Sequence, residues 1–187
     1  MTRFDPHASW LALQDRAEHT DNPTHKALLQ EVANLMEAEI TGQLEPLMAT
    51  LDPDPIYHFW RVGGENMVLQ GYEAVAGFYS NMFATGGQQF QVVCDRIFVD
   101  DGGVITEGQV RQVYKTQALS AMGLTHAPNK AALSSSDLWM SHAQLITVWP
   151  AAPGNKLVGE DIYFGEDPMQ TLIPITADDL PDYYELP

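Results

Sequence analysis

From Phe90 onward the chain reads as long strands, whereas most of what precedes it reads as helix. Helices first, followed by a run of long antiparallel strands, indicate an α+β fold. Phe90–Val99 is a predicted strand, Asp100-Asp101-Gly102-Gly103 a tight turn, and Val104–Lys115 its partner. Leu138–Trp149 and Lys156–Phe164 are two further strands, joined by a turn from Pro150 to Asn155. A curved sheet of such strands wrapped around a long helix leaves a cavity between them.

The helices carry their own start and stop signals. Asp5-Pro6 opens a short amphipathic helix that runs to about His19 and is anchored by Trp10, Leu11 and Leu13. Asn22-Pro23-Thr24 opens a second, with Leu28, Leu29, Val32, Leu35 and Met36 on one face. Leu44, Leu47, Met48 and Leu51 continue through a short third helix, which Asp52-Pro53-Asp54-Pro55 stops. A strand over Ile56–Arg61 follows. Gly63-Gly64-Glu65-Asn66 then reads as a hairpin turn and Met67–Leu69 as the return strand. From Gly71 a helix places Tyr72, Val75, Phe78, Tyr79 and Met82 inward.

Thr116–Asp137 is longer than a compact domain needs for a connection, so a lid or an insertion is expected there. The 187 residues fit one domain, with 1–22 as a helical extension and 166–187 as an acidic tail. The net charge of -16 repels phosphate backbones and anionic headgroups, so neither a nucleic-acid nor a membrane-surface role is expected. From Glu160 to Pro187 there are eight carboxylates and no Lys or Arg, which reads as a solubilising tail. Cys94 is the single cysteine and reads as a core thiol. No signal peptide or membrane span is seen, and a cytoplasmic location is the expectation.

The candidate chemistry centres on Tyr57-His58-Phe59-Trp60-Arg61. Strand alternation puts Tyr57, Phe59 and Arg61 on one face and His58 and Trp60 on the other. His58 titrates nearest neutrality and suits proton transfer, with a core imidazole bonded to a backbone carbonyl as the competing reading. Arg61 stays charged and suits orienting an oxygen or stabilising an anion, against a structural pair with Glu65 or another carboxylate. Glu107 lies mid-strand, as a cavity base, as a partner of Arg61 or Arg111, or facing solvent. Glu160 and Asp161 are adjacent and point to opposite faces, so one faces inward if that strand lines the cavity. Geometry does not say which; Glu160 is carried as the candidate.

Tyr57, Tyr79 and Tyr114 offer phenol hydrogen bonds, Trp60, Phe78 and Trp139 offer rings for stacking, and His142 is a further polar candidate. No GxGxxG, P-loop, HExxH, HxxxH, CxxC or GxSxG pattern occurs, so the sequence gives no sign of a cofactor, a metal or a nucleophilic serine. What remains is acid–base work on a small, apolar, ring-containing substrate.

The order of elements from about Thr24 to Gly165 is similar to the SnoaL-like, nuclear transport factor 2-like superfamily. So are the strings Tyr57-His58-Phe59-Trp60, Gly71-Tyr72-Glu73-Ala74-Val75, Val104-Ile105-Thr106-Glu107-Gly108 and Lys156-Leu157-Val158-Gly159-Glu160-Asp161. The resemblance implies a cone-shaped half-barrel, with N-terminal helices against a curved, mainly antiparallel sheet that encloses a pocket. It also implies a homodimer formed through the sheet face. The fold hosts isomerases, dehydratases, cyclases and non-catalytic modules. Within it, the aromatic-rich strand resembles the cofactor-independent lyases that release formaldehyde from lignin-derived diaryl compounds. That resemblance implies a diaryl propanediol substrate cleaved to a stilbene. The alternatives are a ketosteroid-isomerase-like proton shuttle, or a small-ligand-binding or assembly module.

Overall fold

The computed structural model describes residues 3–61, 64–128 and 132–185. Its first half is helical: α1 is Leu11–Glu18, α2 Pro23–Ile40, α3 Leu44–Ala49 and α4 Tyr72–Ala84. The strands are β1 Leu51–Trp60, β2 Met67–Gln70, β3 Phe90–Asp100, β4 Gly103–Lys115, β5 Leu138–Ala152, β6 Lys156–Phe164 and β7 Ile173–Ile175. A short α5, Thr116–Ala121, lies between β4 and β5.

The seven strands form one sheet in the order β2-β1-β6-β5-β4-β3, with β7 added to β5. Every pairing is antiparallel except β1 with β6. The last long strand thus returns between the first strand and the β5–β4–β3 meander. That return brings Tyr57 beside Glu160, in direct register.

α2 begins as the sequence requires. Asn22 Oδ1 accepts the backbone N–H groups of Thr24 and His25 at 2.9 and 3.3 Å, and Pro23 occupies the first turn. The helix lays Leu28, Leu29, Val32, Leu35 and Met36 into the main core, which also holds Tyr57, Val75, Trp149 and Leu157. Burying such side chains contributes roughly 1.5–3 kcal/mol each. Their shared stripe therefore fixes α2 across the concave side of the sheet.

Glycine fixes the seam between β1 and β6. Gly159 has φ +149, and a Cβ there would sit 1.9 Å from the Ile56 carbonyl oxygen. Only a residue without a side chain lets the two strands approach at this point. Gly108 serves β3 and β4 in the same way, opposite the register shift between Cys94 and Arg96.

Two expectations are corrected here, and the long connection is given its structure. Asp52-Pro53-Asp54-Pro55 does end the helical region, but it runs on as the irregular start of β1, with a register shift between Leu51 and Ile56. Thr116–Asp137 contains α5 and packs Leu119, Ala127 and Leu133 against Trp139 and Leu172. The acidic tail is more than a solvated appendage. Ile173–Ile175 pairs with β5, and Ile175 and Leu180 are buried with Phe4, Val113, Leu138 and Met140. Apolar residues spaced among the carboxylates override the charge of the segment. Among the described residues no helix is long and apolar enough to cross a membrane.

Candidate functional site

The concave face of the sheet and the inner sides of α2 and α4 enclose a cavity of about 760 Å³. That lies inside the range of about 300–1,000 Å³ usual for small-molecule sites. Alternation decides what each strand contributes. β6 turns Glu160, Ile162 and Phe164 inward; β5 turns Ser141, Leu145, Thr147 and Trp149; β4 turns Val110, Gln112 and Tyr114. α2 adds Met36 and Glu39, and α4 adds Phe78, Tyr79 and Met82.

At one end, four ionisable groups converge among these apolar walls. The Tyr79 phenol oxygen lies 3.1 Å from Glu160 Oε1 and 3.2 Å from the Tyr57 phenol oxygen. Glu160 is buried, and burial raises its pKa to about 7 although hydrogen bonds from Tyr79 and Tyr57 pull the other way. Glu39, enclosed by protein yet open to the cavity, is raised well above the carboxylate range, first by burial and then by the charge of Glu160. Both phenols are likewise raised, chiefly by burial, and stay neutral. The arrangement gathers two carboxyls, both raised by burial and Glu160 to about 7, with two phenols in one apolar chamber. Such a set can give a proton and take one at the same place.

The opposite end is polar but carries no such pair. Tyr114 donates to Gln112 Oε1 at 2.9 Å, and Gln112 Nε2 donates to the Gly87 carbonyl at 3.1 Å. Ser141 stands beside the same phenol and opposes the rise in its pKa, which burial causes first. Glu166, Asp167 and Met169 line this end. Arg61 also lines the cavity, with an exposed side chain and its backbone N–H on Asn66 Oδ1 at 3.2 Å.

Of the residues singled out from the sequence, Arg61, Phe78, Tyr79, Tyr114 and Glu160 line the cavity. Tyr57 is fully buried behind them and touches the site through Tyr79. Five others lie elsewhere. His58 is on the outer face of β1, where its Nδ1 is 2.6 Å from Asp161 Oδ1. Trp60 stacks on the same side, between His58 and Tyr163. Glu107 pairs with Arg96 and accepts from Gln144, not from Arg61. Trp139 has the inward phase but is covered by the α5 segment, its indole N–H 3.1 Å from Thr116 Oγ1. His142 faces outward, and its backbone N–H donates to Thr171 Oγ1. In each case the alternation of a strand, or a covering segment, takes the side chain out of the cavity.

Glu39 was not among the sequence candidates, although a signal was present. It falls four residues after Leu35 and seven after Val32, on the apolar stripe of α2. A carboxylate on that stripe had to be buried or to face a cavity. Among the described residues no three of His, Cys, Asp and Glu gather as a metal site.

A cone of helices on a curved open sheet, with titratable groups at the end of an apolar chamber, defines a pocket protein of the nuclear transport factor 2-like fold. The chain belongs to the SnoaL-like domain family, whose sequence profile matches residues 32–132. No curated protein matches it by sequence. Its fold is similar to a protein from Jannaschia sp. CCS1 assigned as a SnoaL-like polyketide cyclase, at 14% identity and TM-score 0.55, over 78% of this chain and 90% of that one. It is also similar to SalBIII, an epoxide hydrolase/cyclase-like enzyme of pyran ring formation in the polyether salinomycin. There the identity is 12% and the TM-score 0.51, over 76% of this chain and 92% of that one. A computationally designed 17-OHP binder matches at 12% identity and TM-score 0.51, over 79% and 95%.

Proposed function

We propose that the protein is an acid–base enzyme, a lyase or isomerase, acting on an uncharged, ring-containing substrate with protein groups alone. The observation that carries this reading is the Glu39–Glu160 pair beside Tyr57 and Tyr79 in an apolar chamber. A pure binding pocket has no use for two enclosed carboxyls that burial raises, since burying such groups costs stability. The charge of the lining excludes anionic substrates. Glu160, Glu166 and Asp167 outnumber Arg61, the one cation among the described lining residues.

The narrow form of the proposal is deformylating cleavage of a lignin-derived diaryl propanediol. Glu39 donates its proton to the benzylic hydroxyl, which leaves as water, while the phenol gives its proton to solvent and becomes a quinone methide. Glu160 takes the proton of the terminal hydroxyl. The bond between the two carbons breaks, formaldehyde leaves, and the released pair forms the stilbene double bond and restores the phenolate. The phenolate regains a proton, and the proton on Glu160 returns to Glu39. The products are a stilbene, formaldehyde and water. The same pair also suits a proton shuttle between two carbons of a ring ketone, because Glu160 is poised near neutrality beside two phenols.

Incubation with a 1,2-diarylpropane-1,3-diol, read by stilbene absorbance and a separate formaldehyde assay, tests the narrow form. Both products appear with the wild-type protein and are lost in Glu160→Gln. Failure there, followed by failure to isomerise conjugatable ring ketones that the protein binds, sinks the enzyme reading in favour of a binding module.

A further inference from the structure

The Glu39–Glu160 pair occupies one end of the cavity, and Glu166 and Asp167 line the other. Val148 pairs with Asp161, so Glu160 lies at the Trp149 end of β5, whereas Gln112 pairs with Ser141 near the other. The stretch of β5 between Ser141 and Trp149 covers roughly 26 Å of contour at ~3.3 Å per residue. Along it the walls are apolar apart from Thr147: Leu145 and Val110 on the sheet, Phe59, Ile162 and Phe164 beside them. The far end is polar again. There Ser141, almost wholly buried, stands beside the Tyr114 phenol, which donates to Gln112, which donates to Gly87.

We infer that Tyr114, Ser141 and Gln112 form a second subsite that reads a hydroxyl at the far end of an elongated, uncharged, two-ring substrate. The chain of donors has a fixed direction, anchored on the Gly87 carbonyl. A phenol oxygen accepts up to two hydrogen bonds and an amide nitrogen donates two, so this cluster has capacity beyond its internal bonds. An incoming hydroxyl can donate to it and accept from it. A single-ring ligand reaches one polar end only; a longer one places its apolar body along Leu145 and Phe59 and its reacting carbons toward Glu39 and Glu160. The inference rests on the enzyme reading above only for which end of the ligand reacts.

The test is a binding titration and needs no turnover. trans-4-Hydroxystilbene and trans-stilbene are titrated by ligand fluorescence into the wild-type protein, Tyr114→Phe, Ser141→Ala and Glu160→Gln. The hydroxylated probe is expected to bind about five- to tenfold more tightly to the wild type, the size of one or two neutral hydrogen bonds. That preference falls to under about twofold in Tyr114→Phe and in Ser141→Ala, and persists in Glu160→Gln. Equal affinity of the two probes for the wild type overturns the subsite, as does binding of neither. A preference lost in Glu160→Gln but kept in Tyr114→Phe places the hydroxyl at the carboxyl end and overturns it too. Loss of turnover with the preference intact would count against the enzyme reading alone.

Discussion

Glu160 and Asp161 are neighbours on one strand, and each stands beside aromatic residues of β1, yet the sheet separates their chemistry. Inside, Glu160 meets Tyr57 and Tyr79 in an apolar chamber and is pushed up to about 7 by burial. Outside, Asp161 meets His58 at 2.6 Å, and both side chains keep roughly a third of their surface exposed (29% and 30%). The outer pair resembles a catalytic dyad in residue type, the inner one in environment. Environment is what sets reactivity, because a group in contact with water reorganises its own solvent while a buried one holds its proton on the terms of its neighbours. In the outer cluster Trp60 stacks between His58 and Tyr163, linking β1 to β6 across the strands.

The largest test of that contrast is kinetic. Glu160→Gln is expected to lower kcat/KM by about 10²–10⁴, the usual weight of a positioned proton acceptor, while Asp161→Asn lowers it less than about threefold. Comparable losses in both would erase the distinction between the two faces. The pH profile sharpens it: with Glu160 acting as base, kcat/KM rises with pH through a limb near 7.

A second test is thermodynamic. Glu160 has its folded pKa raised from 4.5 to about 7, so the folded protein binds that proton more tightly than the unfolded chain does. Its contribution to stability is full below about pH 4.5 and is lost as pH rises through about 7. The difference across that window is on the order of 3 kcal/mol. Thermal unfolding of Glu160→Gln should therefore show a much flatter decline from pH 4.5 to pH 8 than the wild type. Part of the slope that remains belongs to Glu39, which burial raises in the same direction. Asp161→Asn should leave the wild-type slope in place.

The fold was legible because period and capping agree along the chain: Asn22-Pro23 starts α2, and β6 keeps its predicted bounds, Lys156–Phe164. The relative faces were legible too, since Tyr57 and Phe59 point opposite to His58 and Trp60 as alternation demands. Which face is concave was not, for it depends on where β6 inserts and on which side α2 crosses, both set by contacts distant in sequence. That one bit moved His58 out of the site and left the choice between Glu160 and Asp161 open. Glu39 was hidden for a different reason. It sits on a helix whose other stripe residues are aliphatic, and its functional company comes from β6, more than a hundred residues later. Trp139 shows the converse, an inward residue made structural by a segment that folds over it.

A smaller effect is expected from Tyr79→Phe. The Tyr79 phenol donates to Glu160 and so opposes its rise. Its loss should move the lower limb of the kcat/KM profile upward by about half a unit to one unit. A downward shift would mean that Tyr79 stabilises the protonated carboxyl, and the assignment of Glu160 as the acceptor would fail with it.

The smallest effect is reserved for the residue that draws most notice in the sequence. His58→Ala removes the Asp161 hydrogen bond and one ring from the His58–Trp60–Tyr163 stack. Each element is partly solvated, so the loss in stability should be about 1 kcal/mol, read by denaturant unfolding at pH 7. The double variant His58→Ala/Asp161→Ala should cost less than the sum of the two single changes, because each single change already breaks the shared contact. Turnover should stay within about threefold of wild type, well short of the loss that removing a proton-transfer group brings. A loss of turnover in His58→Ala comparable to that of Glu160→Gln, with stability held, would mean that the outer face communicates with the chamber across the sheet. The separation of the two carboxylates by one peptide unit would then no longer explain the site.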